Sequence, residues 1–439
     1  MREMKDSGVE WIGSIPTDWR TIRIKNIASL AGRIGWQGLT SDEYTDEGAY
    51  LITGTDFCKG KINWNSCVHV PISRWEEASQ IQIKEGDLLI TKDGTVGKVA
   101  IAEDVPAETS LNSGVLLIRC SEECDTKFLF WMIQSEVFWK WFGIINAGNS
   151  TIIHLYQHSF NNFGFPFPDI RRQKVIASFL DTKCSKIDAI IEKQQAIIEK
   201  LKEYKLSLIT EAVTKGINPN VELKESGVNG IGLISADGIP TKIKYICNTQ
   251  GRIGFKGYTT ADLVGEGEGA YTLGASHLKN GIIDLTDPVY ISWDKYYESP
   301  EIMVHEGDIL IVQRGSTIGK VAIVDKDYGE ITINPSLVLI NDIKMENKYL
   351  LYALSARYIG DYISLIGTTT AIPMISQKQI NDLTIIIPPK EQQEKVIRYL
   401  DEKCIAIDKR IRGLELMLEK LCDYKKSLIY EVVTGKKEV

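Results

Sequence analysis

The sequence predicts an α+β chain made of one unit written twice. Two tandem homologous α/β globules alternate with two long helices, which form an antiparallel intramolecular coiled coil with pseudo-two-fold symmetry. Three observations predict this. An internal repeat runs along the whole chain at offsets of 219 to 222 residues, too long for a solenoid and therefore a duplicated domain with its linker. Each unit opens with a glycine-rich region of short alternating apolar runs. Each closes on an apolar seam at heptad spacing.

The repeat is read directly. Ser7-Gly8-Val9 with Ile12-Gly13 returns as Ser226-Gly227-Val228 with Ile231-Gly232, and the stretch Gly32 to Gly38 returns as Gly251 to Gly257. Glu85-Gly86-Asp87 and Gly97-Lys98-Val99-Ala100-Ile101 match Glu306-Gly307-Asp308 and Gly319-Lys320-Val321-Ala322-Ile323. Leu180-Asp181, Lys183-Cys184 and Ile187-Asp188 recur as Leu400-Asp401, Lys403-Cys404 and Ile407-Asp408. The predicted domains are therefore globules over 1–168 and 217–389, with helices over 169–216 and 390–439.

Within the first globule, Leu88-Leu89-Ile90-Thr91, then Asp93-Gly94, then Val99-Ala100-Ile101 reads as strand, turn, strand. Cys124 to Phe142 and Lys348 to Ile363 read as helical. Prolines at 166 and 168, and at 388 and 389, stand just before the long helices, where a missing N–H costs least. The first seam is Leu180, Cys184, Ile187, Ile191, Gln194, Ile198, Leu201, Lys205 and Leu208; the second is Leu400, Cys404, Ile407, Ile411, Leu414, Leu418, Leu421, Lys425 and Leu428. Steps alternating between four and three are the signature of coiled-coil pairing. Lys205 and Lys425 occupy equivalent seam positions and either snorkel outward or specify register. Short connections favour antiparallel pairing of the two helices. The expected molecule is a dumbbell with a strut of about 60 Å, at 1.5 Å per residue.

The chain of 439 residues exceeds the size of one core, and its 44% hydrophobic and 25% charged content is that of a globular protein. No apolar stretch follows the N-terminus and no run suggests a membrane span, so a soluble cytoplasmic protein is expected. The 8 cysteines are scattered, which argues against a disulfide framework. Cys120 and Cys124 lack a second ligand pair, as do His154 and His158; no metal site is expected. The net charge of −7 sits awkwardly with nucleic acid, since both globules are acidic and only the helices are mildly basic. Two similar heads at a fixed spacing suit a reader of bipartite sites, and equally a scaffold that bridges two partners.

Several segments carry a resemblance. Ser7 to Pro16 with Trp19, the Glu-Gly-Asp segments each followed by Gly-Lys-Val-Ala-Ile, and Glu391-Gln392 through Ile397, Leu400-Asp401 and Ile407-Asp408 resemble the type I restriction-modification specificity subunits. The resemblance covers the chain in the order globule, helix, globule, helix. It departs at Arg171-Arg172-Gln173, which stands where the second helix has Glu-Gln, at Asn229-Gly230, and at the displaced Ile239-Pro240.

The resemblance implies a non-catalytic subunit whose globules are target recognition domains, each reading half of a split double-stranded DNA site. The helices would set the spacer and dock two methyltransferase subunits. S-adenosylmethionine, ATP and Mg would then belong to partner subunits that methylate adenine and, where a restriction subunit is present, cut DNA. The residues agree with a chain lacking catalysis. Asn334-Pro335-Ser336-Leu337 and Ile387-Pro388-Pro389 do not supply a methyltransferase motif. The loops ending in Gly97-Lys98 and Gly319-Lys320 are too short for a nucleotide-binding loop.

Three pairs of segments are the candidate DNA contacts. The glycine loops offer Arg33, Trp36 and Gln37, and Arg252, Phe255 and Lys256, because arginine reads a guanine edge bidentately and glycine permits close approach. The strand-to-strand loops offer Lys92, Thr95 and Lys98, and Gln313, Arg314, Ser316, Thr317 and Lys320. Asn149, Ser150 and Thr151 match Thr368, Thr369 and Thr370 ahead of the final strands. The plain alternative in each case is a solvated turn.

Overall fold

The computed structural model of the chain describes residues 3–33, 38–147, 153–254, 257–367 and 373–439. It divides into two compact units: 1–194 with 416–439, and 195–415. Each unit thus contains one head and a segment of both long helices.

The first head contains strands β1 (Ala28–Gly32), β2 (Ala49–Ile52), β3 (Phe57–Cys58), β4 (Lys61–Ile62), β5 (Val68–Val70), β6 (Leu88–Thr91), β7 (Val99–Ile101), β8 (Thr109–Leu111) and β9 (Val115–Cys120). Six of them form a sheet in the order β1-β9-β6-β7-β4-β3, and β8-β2-β5 form a second. The strand–turn–strand reading holds: β6 and β7 are antiparallel, with Leu89 opposite Ala100. Every residue of β6 is buried, because the strand has a core on each face. Leu88 and Ile90 point into one with Leu116 and Ile118; Leu89 points into the other with Val115, Leu117, Ile52 and Leu111. Period-two alternation thus feeds two hydrophobic layers from one short strand.

Helices α1 (Thr126–Gln134) and α2 (Glu136–Ile145) cover the first face. The single stretch expected over 124–142 is broken at Ser135, which turns extended and caps α2 by accepting from the Val137 N–H. A short helix, α3 (Gln157–Phe160), follows. Its Phe160 packs with Phe138, Trp141 and Phe163, which fixes its position on the head.

The second head repeats the plan. Its sheet contains β10 (Asn248–Gly251), β11 (Leu278–Lys279), β12 (Ile282–Ile283), β13 (Ile309–Val312), β14 (Val321–Ile323) and β15 (Leu337–Asn341), in the order β10-β15-β13-β14-β12-β11. The long helix α4 (Ile170–Lys215) connects the heads in sequence. The second head carries α5 (Asn347–Leu354), α6 (Arg357–Gly367) and α7 (Gln377–Asn381), and α8 (Lys390–Val433) closes the chain. No helix among the described residues is long and apolar enough to cross a membrane.

Each long helix is tied to the head before it by the same buried glutamine. Gln173 accepts from the Asp125 N–H and donates to the Pro168 carbonyl; Gln393 accepts from the Glu346 N–H and donates to the Pro388 carbonyl. The departure at Arg171-Arg172-Gln173 is therefore confined to Arg171-Arg172, which stand where the second helix has Glu391-Gln392, while Gln173 matches Gln393. Two turns later Asp181 accepts from Trp131 and Lys127, and Asp401 accepts from Tyr352 and Lys348. This explains why Leu-Asp recurs: the leucine is buried in the seam and the aspartate clamps the head.

In the first unit the start of α4 and the end of α8 both rest on the head and run in opposite directions. Leu180, Cys184 and Ile187 share a core with Leu428, and the carboxylate of Asp188 accepts from Lys425 at 2.6 Å. Gln194 is buried against Met417, its amide 3.1 Å from the sulfur. The second unit pairs the other halves in the same sense. The end of α4 meets its head where Tyr349 donates to the Val213 carbonyl, and Lys205 donates to Asp408 at 2.7 Å. Ile198, Leu208, Leu400, Cys404, Ile407 and Ile411 are all buried, and Ile191, Leu201, Leu414, Leu418 and Leu421 are partly so. The seam lysines therefore neither simply snorkel nor sit unpaired: each meets the aspartate one residue after Ile187 or Ile407.

Candidate nucleic-acid interface

The arginines of the glycine loops are a correction to the sequence reading. Arg33 and Arg252 were expected at the surface against base edges, yet each is buried. Arg33 Nε donates to the Leu111 carbonyl at 2.8 Å and Nη2 to Ser110 Oγ. Arg252 repeats this with the Ile333 carbonyl at 3.0 Å and Thr332 Oγ1. The guanidinium of Arg252 also lies over the Tyr258 ring. Burial lowers the pKa of both arginines, and the Arg74 charge adds to this at Arg33. The physical reason is satisfaction of buried carbonyls: the fork ties the end of β1 or β10 to the strand beneath it. Trp36, Gln37, Phe255 and Lys256 lie outside the described residues. So do Asn149, Ser150 and Thr151, and Thr368, Thr369 and Thr370.

The strand-to-strand loops are at the surface. In the first head Thr95 and Lys98 are exposed and Lys92 is half-buried. The loop is braced from within, since Thr91 Oγ1 donates to the Thr95 carbonyl at 2.6 Å and accepts from the Lys98 N–H. It lies flat on α2: a Cβ on Gly97, which has φ +86°, would come within 2.5 Å of Trp139, so glycine is required there. In the second head Arg314, Ser316 and Thr317 are exposed and Lys320 is half-buried. Gln313 is partly diverted inward, its amide donating to the Pro335 carbonyl at 3.0 Å.

The structure brings to this loop a segment that the sequence reading had weighed only as a metal site. The Leu155 N–H donates to the Lys92 carbonyl, laying residues 153–156 beside the loop. His154 Nδ1 meets Asp93 at 2.6 Å, and the same carboxylate accepts from Lys92 Nζ at 2.9 Å. Burial pushes the Asp93 carboxyl up, but the hydrogen bonds from His154 and Lys92 outweigh it and hold its pKa below the ordinary value. A shallow cleft of about 420 Å³ joins Arg33, Lys92, Asp93, His154, Tyr156 and Gln157. His154 and His158 do not converge; Tyr156 stands between them, its ring 5.9 Å from one and 5.6 Å from the other. No cluster of three metal-ligating side chains occurs among the described residues. Cys124 is buried, and its hydrogen bond with Cys120, together with burial, raises its thiol pKa; such a thiol is inert.

Comparison with known proteins follows the same lines. A family model described as the type I restriction modification DNA specificity domain matches residues 16–205 and 276–413. The chain is 26% identical over 440 residues to the MjaX specificity subunit of Methanocaldococcus jannaschii, itself provisionally assigned to a type I restriction enzyme; this covers 97% of the chain and 95% of that protein. It is 22% identical over 451 residues to the type I restriction enzyme EcoBI specificity subunit of Escherichia coli, across 99% and 89% of the two. A solved chain from work on assembly and conformational transition of the type I R-M system shares the fold at a TM-score of 0.70, with 16% identity over 96% of this chain and 99% of that one.

Proposed function

The chain belongs to the type I restriction-modification DNA specificity family, and from that premise we propose that each head reads one half of a split duplex sequence. In this reading the long helices fix the spacer and dock methyltransferase subunits. Methyl transfer with S-adenosylmethionine, and any ATP- and Mg-dependent cutting, belong to the partners, and this chain supplies sequence choice without catalysis.

One observation carries the reading. The heads keep the same buried framework, down to the arginine fork and the glutamine tie, yet differ where the strand-to-strand loop meets solvent. Lys92-Asp93 in one is Gln313-Arg314 in the other. A scaffold built to hold two identical partners would keep those surfaces alike. Two readers of different bases must vary them, because sequence is read by side chains at base edges.

Mapping methyladenine genome-wide in a strain with and without this chain tests the reading. The expected result is loss of one split motif when the chain is removed. Unchanged methylation overturns it.

A further inference from the structure

We propose that the segment 153–158 is a base-reading element of the first head, through His154, Tyr156 and His158, and that Met374, Ser376 and Lys378 do the same work in the second. This rests on the two-head reading above and assigns residues to it.

The two segments share one scaffold. Leu155 and Ile375 are fully buried. Their N–H groups donate to the Lys92 and Gln313 carbonyls, each at 2.9 Å. Gln157 donates through its amide to the Leu30 carbonyl on β1, and Gln377 does so to the Thr249 carbonyl on β10. Phe160 and Ile380 bury the short helix that follows in each head. From backbone pairing to anchors, the two are one structure.

The differences fall on the alternate positions. Tyr156 and His158 are exposed and His154 is half-buried; Met374, Ser376 and Lys378 are all exposed. Residues 153–156 and 373–376 are non-helical, and an extended stretch sends alternate side chains to opposite faces. Leu155 and Ile375 therefore pack inward, while His154 and Tyr156 are replaced by Met374 and Ser376. His158 and Lys378 lie on the short helices that follow. The first head holds there an aromatic that is 55% exposed, flanked by two imidazoles. Exposed rings beside a cleft suit contact with bases and their edges.

The chemistry of His154 adds a donor–acceptor logic. An ionised carboxylate only accepts, so Asp93 requires the proton on Nδ1 of His154. Whenever the ring so held is neutral, Nε2 is an acceptor, which suits the exocyclic amino group of cytosine or adenine in a major groove. Methionine at 374 has no such acceptor, and the neighbouring Arg314 is a donor suited to guanine. The two heads thus present different hydrogen-bonding faces on one backbone.

The test uses the chain assembled with its methyltransferase subunits, selecting from duplexes with randomised positions. Tyr156→Ser alone, and the exchange His154→Met, Tyr156→Ser, His158→Lys, are expected to relax discrimination about ten-fold at one or more positions of one half-site, the scale of a single good base contact. The other half-site is expected to be unchanged. Met374→His, Ser376→Tyr, Lys378→His should relax the opposite half. Folded variants that retain both wild-type half-sites overturn the assignment. Loss of both half-sites together also overturns it, because it marks a structural role. A wild-type complex that selects no split consensus overturns the two-head reading itself, and the assignment with it.

Discussion

Arg33 shows how one side chain can mislead a sequence reading and inform a structural one. An arginine between glycines has the composition of a base-contacting loop, yet its guanidinium is buried and holds the Leu111 carbonyl. Arg33→Ala, or Arg252→Ala, is expected to cost about 2 kcal/mol of stability, since a buried carbonyl loses its charge-assisted donor. Urea unfolding measures this, and lost sequence preference at unchanged stability would count against a structural role. The signal that could have shown this earlier was the repetition itself. A residue kept in both heads serves what the heads share, and readers of different bases share only their framework. His154 gave the opposite lesson. Its spacing to His158 reads only as an incomplete metal pair, and the pairing of Leu155 with Lys92 is what brings both histidines, with Tyr156 between them, beside the loop. The Asp93 contact has a pH consequence of its own. Its folded-state pKa is depressed, so the stability it contributes is present above the ordinary carboxylate range and is lost as pH falls through the lower folded value. Asp93→Asn should therefore lower stability at pH 7 by less than about 1 kcal/mol, the groups being partly solvated. The deficit should shrink as pH falls below the ordinary carboxylate range, as thermal melts across a pH series would show.

At the scale of elements, most of the fold was legible because periodicity is a property of neighbours along the chain. The long helices, the β6–β7 turn and the seam all followed from spacing. The break between α1 and α2 did not, because Ser135 becomes a cap only once the helices turn over the sheet. The partners of the seam lysines were equally hidden. A heptad pattern says that Lys205 faces another helix, not that Asp408 meets it. The two lysine–aspartate pairs are chemically identical but differ in setting. Lys205 and Asp408 are each about a quarter exposed, whereas Asp188 opposite Lys425 is nearly half exposed. Double-mutant cycles are expected to give a coupling of about 0.5–1 kcal/mol for Lys205 with Asp408 and less for Lys425 with Asp188. Equal couplings, or none, would show that the pairs follow register without contributing to it.

For the molecule as a whole, the puzzle is an acidic chain in a DNA-specificity family. Non-specific affinity for a duplex comes from phosphate neutralisation, and each phosphate contact steepens the fall of affinity with salt. The 51 lysines and arginines of this chain are outnumbered by 58 aspartates and glutamates, and several of the cations are already engaged: Lys92 with Asp93, Lys205 with Asp408 and Lys348 with Asp401. Side chains that read base edges supply sequence choice without much long-range attraction. A division of work with partner subunits is therefore predicted, in which this chain selects the sequence and the partners supply much of the charge that holds the duplex. The isolated chain is therefore expected to bind DNA weakly, with a shallow slope of log affinity against log salt, equivalent to roughly two or three phosphate contacts. Assembly with methyltransferase subunits should steepen that slope severalfold. Fluorescence anisotropy across a salt series, on the chain alone and on the complex, measures both slopes. Equal slopes would mean that the acidic heads contact phosphates as fully as a basic protein does, and the division of labour would be wrong.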